Sequence, residues 1–566
     1  MQQFDEKLYQ ILQESAYIKK DALDGAYTSA QELKKPLSDV LVFRGLISEN
    51  MLGQLIADSL KLPYIALRSR TVTDEVLTLV PENLARRYKI IPIGVTDTEI
   101  SIAMEDPDNF EAIEAIRRRT GRNVKPAYAT KGDIARALNQ YKRNFKEKFE
   151  QIILENAKKA SELKEQTIEK LLKMAQDLPV VKIFDALLEY AVGENASDVH
   201  IETSSDNLLI RLRVDGILLD TLNLPKSIQP AIVARIKVLS NLKIDEHRVP
   251  QDGRFRFQID ENLVALRVSI IPGFYGENVV LRLLPETARP LSFEELGIMG
   301  QNLKYVKENL QRTFGMILVT GPTGSGKTTT LYSALNILNT PKINICTVED
   351  PIEYGIARVN QIQVNTKTKL TFAAGLRALL RHDPDIIMVG EIRDEETVSI
   401  AIHAALTGHL VLSTIHTNNA VGTIARFLDM GAKEYLLAST LNLVIAQRLV
   451  RKICQNCIAE YTPAEDMLER MRPLLKETGN IKRRVKYFRG KGCDECHGSG
   501  FRGRVGIYEI LNVDEEIREL IAQKAAASQI RQMADTKGMK TMFQDGLDKI
   551  QAGLTTIDEM LGAVTQ

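Results

Sequence analysis

The run Gly321-Pro322-Thr323-Gly324-Ser325-Gly326-Lys327-Thr328, followed by Thr329, fits G-x-x-x-x-G-K-[ST] at every fixed position. Glycines at these places let the backbone wrap an anion, so that successive N–H groups and a helix N-terminus face it. A lysine here reaches β- and γ-phosphates, and the threonine hydroxyl ligates Mg²⁺. The flanks suit the motif, because the apolar run Met316–Thr320 reads as a strand leading in and a helix leads out from Lys327. The chemistry expected is binding of ATP with Mg²⁺.

Three further strand ends carry charge. Asn344–Val348 runs into Glu349-Asp350-Pro351-Ile352-Glu353, Ile386–Val389 into Gly390-Glu391, and Leu410–Ser413 is bracketed by His409 and His416. Any one of these taken singly reads more simply as a solvated acid or a satisfied structural histidine. Four strand ends sharing one edge of a parallel sheet are where such sheets bind ligands. Gly-Glu stands where an Asp-Glu pair is more common.

Cys454-Gln-Asn-Cys457 and Cys493-Asp-Glu-Cys496 form two C-x-x-C pairs 35 residues apart. Four thiolates in two knuckles suit a closed tetrahedral Zn²⁺ site, structural rather than catalytic. A redox pair is the alternative, but it usually stands alone beside a βαβ pattern. The charged segment between the pairs buries little core, so metal would supply folding energy. Cys346, inside an apolar strand, reads as an inert core thiol.

A chain of 566 residues needs several cores to position these groups. Lys and Arg number 74 against 73 Asp and Glu, a balance that argues against nucleic acid as the main partner. There is no apolar run of membrane-spanning length, and MQQFDEKLYQ lacks a secretory h-region, so a cytoplasmic location is expected. The expected fold is multidomain α/β. Residues 1–140 hold a small α/β domain, with helices through Leu37, Val40, Leu41, Leu46 and Ile47 and through Met51–Leu60. Strands at Ile91–Val95 and Ile100–Met104 and a helix Asn109–Arg119 stopped by Gly121 complete it. Residues 141–178 are a charged segment, read either as a connecting helix or helix pair or as a solvated linker. Residues 179–290 form a middle α/β domain opening on a helix at Val181–Ala191. Residues 291–566 alternate short strands with helices, a parallel-sheet pattern.

GPTGSGKTTTLY, TVEDPIEY, DPDIIMVGEIRDEET and TGHLVLSTIHTN together resemble the Walker A, Asp box, Walker B and His box of the type II secretion and type IV pilus ATPase superfamily. ASDVHIE, RLRVDG and PQDGRFR resemble that family's preceding domain. The resemblance implies a PAS-like middle domain and a RecA-like ATPase domain with a tetracysteine zinc module at about 452–507. It implies Glu353 as general base, Glu391 at the Mg²⁺ shell and His416 as γ-phosphate sensor. Arg267 and Arg282 would reach phosphate from the middle domain, with Arg377 and Arg381, one helical turn apart, near the nucleotide. An arginine finger can be worth about 10³–10⁵ in rate; for each arginine a salt bridge is the plain alternative.

The resemblance further implies a homo-hexameric motor recruited to the inner face of the cell membrane by a platform protein. The N-terminal module would dock that partner, and the cysteine module marks the secretion and pilus-extension branches. In some members a related module binds cyclic di-GMP through an R-L-G-x-x-L opening. Here the opening is Lys35-Pro36-Leu37, without that Arg and Gly, which argues against dinucleotide binding. The rival readings are a pilus-retraction ATPase, a DNA translocase and a non-hydrolysing, nucleotide-gated scaffold.

Overall fold

The computed structural model describes residues 49–67, 72–138, 177–259, 262–285, 291–465, 487–493 and 496–565, with scattered positions between 6 and 47, at 140–141 and at 467–471. The charged segment 142–176, Lys35, Pro36, Val40 and the KRRVK stretch lie outside the described residues. The chain divides into two units, one of residues 1–165 with 176–194, the other of 166–175 with 195–566.

The first unit holds a three-stranded sheet of β1 (Ile90–Val95), β2 (Glu99–Met104) and β3 (Asn123–Tyr128), in that spatial order. β2 and β3 are parallel, and the helix Phe110–Thr120 makes the crossover. Its ends explain its length: Asn109 Oδ1 accepts the Ala112 N–H, and Gly121 takes a left-handed φ of 68° at the C-cap. Ile91, Ile102, Met104, Ala112 and Ile116 pack as its core. The helix Leu178–Gly193, longer than the Val181–Ala191 expected, belongs to this first unit.

In the second unit, six antiparallel strands form the sheet of the middle region: β4 (Asp198–Thr203), β5 (Asn207–Val214), β6 (Ile217–Pro225), β7 (Gln251–Ile259), β8 (Asn262–Gly273) and β9 (Gly276–Pro285). Their order is β6-β5-β4-β9-β8-β7. β5 turns into β6 over Asp215-Gly216, at φ 50° and 89°, the two positive values a tight primed hairpin turn demands.

The same unit continues with β10 (Gly315–Thr320), β11 (Ile345–Glu349), β12 (Val359–Gln363), β13 (Ile386–Val389), β14 (Leu410–Ile415) and β15 (Leu441–Ile453). A short antiparallel ribbon, β16 (Ile458–Tyr461) with β17 (Tyr487–Gly490), precedes β18 (Phe501–Asn512). The main sheet runs β12-β11-β13-β14-β10-β15-β18, parallel except for β18. Met316, Leu318, Val348, Ile387, Val389 and Val411 enter one core and Ile317, Val319, Ile345, Met388 and Leu412 the other. A strand covered on both faces must be apolar throughout, which is why these segments read as unbroken apolar runs. Each fully buried Leu, Ile or Val contributes about 1.5–3 kcal/mol, enough to fix even the four-residue β13 at the middle of the sheet.

Candidate nucleotide site and cysteine centre

β10 ends at Thr320, and the chain turns through Gly321–Gly326 into the helix Lys327–Leu338. Gly321, Gly324 and Gly326 have φ of 146°, 80° and 86°. At Gly321 a Cβ would also lie 2.4 Å from the Gln447 carbonyl oxygen, so glycine is required there twice over. Lys327 Nζ donates to the carbonyls of Gly321 (2.9 Å) and Pro322 (3.1 Å), so its ammonium lies across the loop. Burial lowers the Lys327 pKa, an effect the nearby Glu391 carboxylate opposes. Ser325 Oγ is buried and has no hydrogen-bond partner among the described residues, while Thr328 and Thr329 are exposed. A loop with a half-buried ammonium and an unpartnered buried hydroxyl suits a polyphosphate, with Thr328 exposed to meet the cation.

Sheet order brings the other strand ends alongside. β14 adjoins β10, β13 adjoins β14 and β11 adjoins β13, all parallel, so His416, Glu391 and Glu349–Glu353 follow at one carboxyl edge. Glu391 has both oxygens engaged: Oε1 lies 3.0 Å from His416 Nε2 and Oε2 lies 2.7 Å from Arg393 Nη2. Glu353 Oε2 lies 3.0 Å from Arg267 Nη2, which also donates to the Ile352 carbonyl at 2.8 Å. Glu349 turns into the core, accepting hydrogen bonds from Tyr332, Thr347 and Gln361. His409, preceding β14, sits at the opposite edge and lies 2.9 Å from the Ala404 carbonyl through Nδ1. Cys346 is fully buried in β11, and burial raises its pKa.

The arginines separate. Arg213, Asp198, Arg282, Arg267 and Arg254 are directly opposed on five neighbouring strands and therefore form one row on one face of the middle sheet. Asp198, nearly buried, takes Arg282 Nε at 2.9 Å and Arg213 Nε at 3.5 Å. Arg267, next in the row, is the one that reaches the ATPase region. Arg377 pairs with the exposed Glu396 at 2.5 Å. The helix bearing it ends at Leu379, so Arg381 lies just beyond, donating to the Arg377 carbonyl at 2.9 Å as a C-terminal cap.

Two supports were not foreseen from the sequence. Gln447 on β15 accepts from Thr330 Oγ1 (2.8 Å) and donates to the Ser325 carbonyl (2.6 Å), bracing the phosphate loop. Its signal was a lone glutamine in the apolar run NLVIAQRLV, since a buried amide must find partners. Thr320 Oγ1 accepts the Thr417 N–H at 2.8 Å and so ties the residue after His416 to the end of β10.

The four cysteines converge, with all their sulfurs within 4.8 Å of one another. Cys454–Cys493 and Cys457–Cys496 are 3.8 Å apart and Cys493–Cys496 3.7 Å. A regular tetrahedron of Zn–S bonds near 2.3 Å has edges of about 3.8 Å, so these three separations are those a Zn²⁺ site requires and the donor set fits that ion. Burial pushes the Cys454 thiol up to about 12. At Cys496 burial is outweighed by the N–H groups of Cys493 and Gly500 and by the neighbouring thiols, which bring it down to about 7. The knuckles approach backbone to backbone: a Cβ on Gly490 would stand 2.0 Å from the Gly500 oxygen.

A strand–phosphate-loop–helix unit with acids at the adjacent parallel strand ends is shared by many ATPases; the whole-chain comparison decides between them. The family described as type II/IV secretion system protein matches residues 173–562, and the MshEN domain matches 60–147. The chain belongs to the type II secretion and type IV pilus-assembly ATPase family. It is 38% identical over 562 residues to the type IV pilus assembly ATPase PilB of Myxococcus xanthus, covering 98% of each chain. To the type II secretion system protein E of Pseudomonas aeruginosa it is 46% identical over 395 residues, 69% of this chain and 77% of that one. Among solved structures it resembles the Legionella pneumophila ATPase DotB, at 25% identity and a TM-score of 0.50, over 67% of this chain and 95% of the other. No helix of the described residues is long and apolar enough to cross a membrane.

Proposed function

We propose that this chain is a hexameric motor that hydrolyses MgATP to power type IV pilus assembly, with type II secretion as the second reading. The end-to-end similarity to a pilus assembly ATPase supports the first; the higher identity of the ATPase part to a secretion protein supports the second. The observation that carries the reading is the alignment of Lys327, His416, Glu391 and Glu353 along one sheet edge.

In this reading Lys327 and the loop N–H groups bind the phosphates and Thr328 holds Mg²⁺. Glu353 removes the proton from the attacking water, Glu391 orders the Mg²⁺ shell and His416 senses the γ-phosphate. Zn²⁺ on Cys454, Cys457, Cys493 and Cys496 holds the ribbon region together. Arg267 couples chemistry to motion. Its guanidinium links the middle sheet to the Glu353 loop, and a γ-phosphate beside that loop would compete for the same charge. Loss of the phosphate on hydrolysis would then return the arginine to Glu353 and move the middle sheet. Arg282, Arg377 and Arg381 would join the nucleotide only by leaving their present partners. The N-terminal unit would dock a membrane platform protein at the cytoplasmic face.

The test is phosphate release by the full chain with MgATP, with EDTA as control, and particle mass by light scattering. Mg²⁺-dependent release from a six-chain particle supports the motor. Nucleotide binding without release would favour a nucleotide-gated scaffold instead.

A further inference from the structure

Tyr332 lies on the helix that begins at Lys327 and is 1% exposed. Burial and the adjoining Glu349 carboxylate raise its pKa, keeping the phenol protonated. The hydroxyl donates to Glu349 Oε2 at 2.5 Å and accepts the backbone N–H of Glu353 at 3.3 Å. Its ring meets the Tyr354 ring edge-on, with centroids 4.7 Å apart. Glu349 is fixed in turn by Thr347 Oγ1 (2.6 Å) and Gln361 Nε2 (3.1 Å), and the same Gln361 side chain bonds the Tyr354 carbonyl and the Ile356 N–H.

We propose that Tyr332 is a positioning residue for hydrolysis, tying the phosphate-binding helix to the backbone of Glu353 so that the base and the γ-phosphate keep one register. Glu353 is then held from two sides: by Arg267 from the middle sheet, at its carboxylate and at the preceding Ile352 carbonyl, and by Tyr332 from the nucleotide helix, at its N–H. Only the first can change when the middle sheet moves. The second stays with the nucleotide. A buried carboxylate at Glu349 serves this arrangement because it fixes the hydroxyl hydrogen on one side and leaves the oxygen lone pair facing Glu353 N–H. A loss of about one ångström in such placement can cost on the order of a hundredfold in rate.

The inference rests on Glu353 being the base, and the test separates the two claims. Steady-state phosphate release, affinity for a non-hydrolysable ATP analogue and melting temperature are measured for wild type, Tyr332→Phe, Glu353→Gln and the double variant. The expected result for Tyr332→Phe is turnover lowered at least about tenfold with analogue affinity within about threefold, and no further loss when it is added to Glu353→Gln. Hydrogen exchange of the Glu349–Arg358 peptide should quicken in Tyr332→Phe, a readout independent of activity. Wild-type turnover in Tyr332→Phe beside an inactive Glu353→Gln overturns the positioning role alone. A further loss on the Glu353→Gln background also overturns it, because the hydroxyl then acts elsewhere. Wild-type turnover in Glu353→Gln overturns the base assignment and this inference with it. If Tyr332→Phe is poorly folded, unchanged exchange at Glu349–Arg358 in its folded fraction still counts against the proposal.

Discussion

Glu353 and Glu391 stand at neighbouring strand ends but are held differently. Glu391 has a side-chain partner on each oxygen, His416 and Arg393, whereas Glu353 is paired through Oε2 to a guanidinium from another sheet. A carboxylate engaged on both oxygens is fixed in place; one held by a single guanidinium from another sheet can be freed when that sheet moves, as a general base must be to meet water. Gln447 sets the loop that both acids face. Gln447→Leu would leave the Ser325 carbonyl and Thr330 hydroxyl without their partner in a buried place, costing about 1–3 kcal/mol. We expect nucleotide affinity to fall roughly tenfold, the equivalent of about 1.4 kcal/mol, and titration with a fluorescent ATP analogue measures it. Unchanged affinity would mean that the loop holds its shape without β15.

At the scale of elements, the cysteine region is the part whose fold most depends on something other than a core. Its glycines meet backbone to backbone, and four sulfurs converge, three of their separations equal to the edge of a Zn–S₄ tetrahedron. About one zinc per chain is expected by elemental analysis, from one four-sulfur site. A chelator should loosen this region while the P-loop sheet, with cores on both faces, stays folded; far-ultraviolet dichroism and thiol reactivity report the two separately. Gly490→Ala should lower zinc content, because its methyl group would meet the Gly500 oxygen. Zinc-free protein with unreactive thiols would contradict this account.

These elements differ in how far the sequence announces them. The phosphate loop, the strand ends at Glu349 and Glu391 and the cysteine knuckles are local spacings, readable from residue type alone. Asn109 and Gly121 likewise mark their helix within a residue or so. The row Arg213–Asp198–Arg282–Arg267–Arg254 depends on the register of five strands spread over residues 198–282, which no local pattern encodes. Tyr332 was hidden for a similar reason, since its partners arrive from β11 and the loop after it. Arg377 and Arg381, at helical spacing in the sequence, do not share a helix; it ends at Leu379, and Arg381 donates back to the Arg377 carbonyl, a stop that the spacing alone does not encode.

Over the whole ATPase unit, the middle sheet meets the P-loop region through Arg267 at the Glu353 loop and through Asp215, whose Oδ2 accepts the Gly503 N–H at 2.7 Å. Asp215 anchors one end of the middle sheet at β18 while Arg267 can respond to nucleotide at another. Arg267→Ala should therefore depress turnover at least about tenfold, given what a phosphate-directed arginine supplies, with melting temperature little changed. Arg282→Ala should instead show first as lost stability, because the nearly buried Asp198 keeps the Ser197 hydroxyl at 2.8 Å but only the more distant Arg213 as a cation, at 3.5 Å. Melting temperature and turnover on the same preparations separate these outcomes, and equal behaviour of the two variants would remove the distinction drawn between them. The most direct test of the central claim, that this sheet edge hydrolyses MgATP with Glu353 as base, is pre-steady-state phosphate release by the full chain and its Glu353→Gln and Glu391→Gln variants. Glu353→Gln is expected still to bind MgATP while its chemical step slows by about 10²–10⁴, and Glu391→Gln to regain activity with raised Mg²⁺. Wild-type release by Glu353→Gln, with Glu391→Gln inactive at every Mg²⁺ concentration, would contradict it and move the base to Glu391.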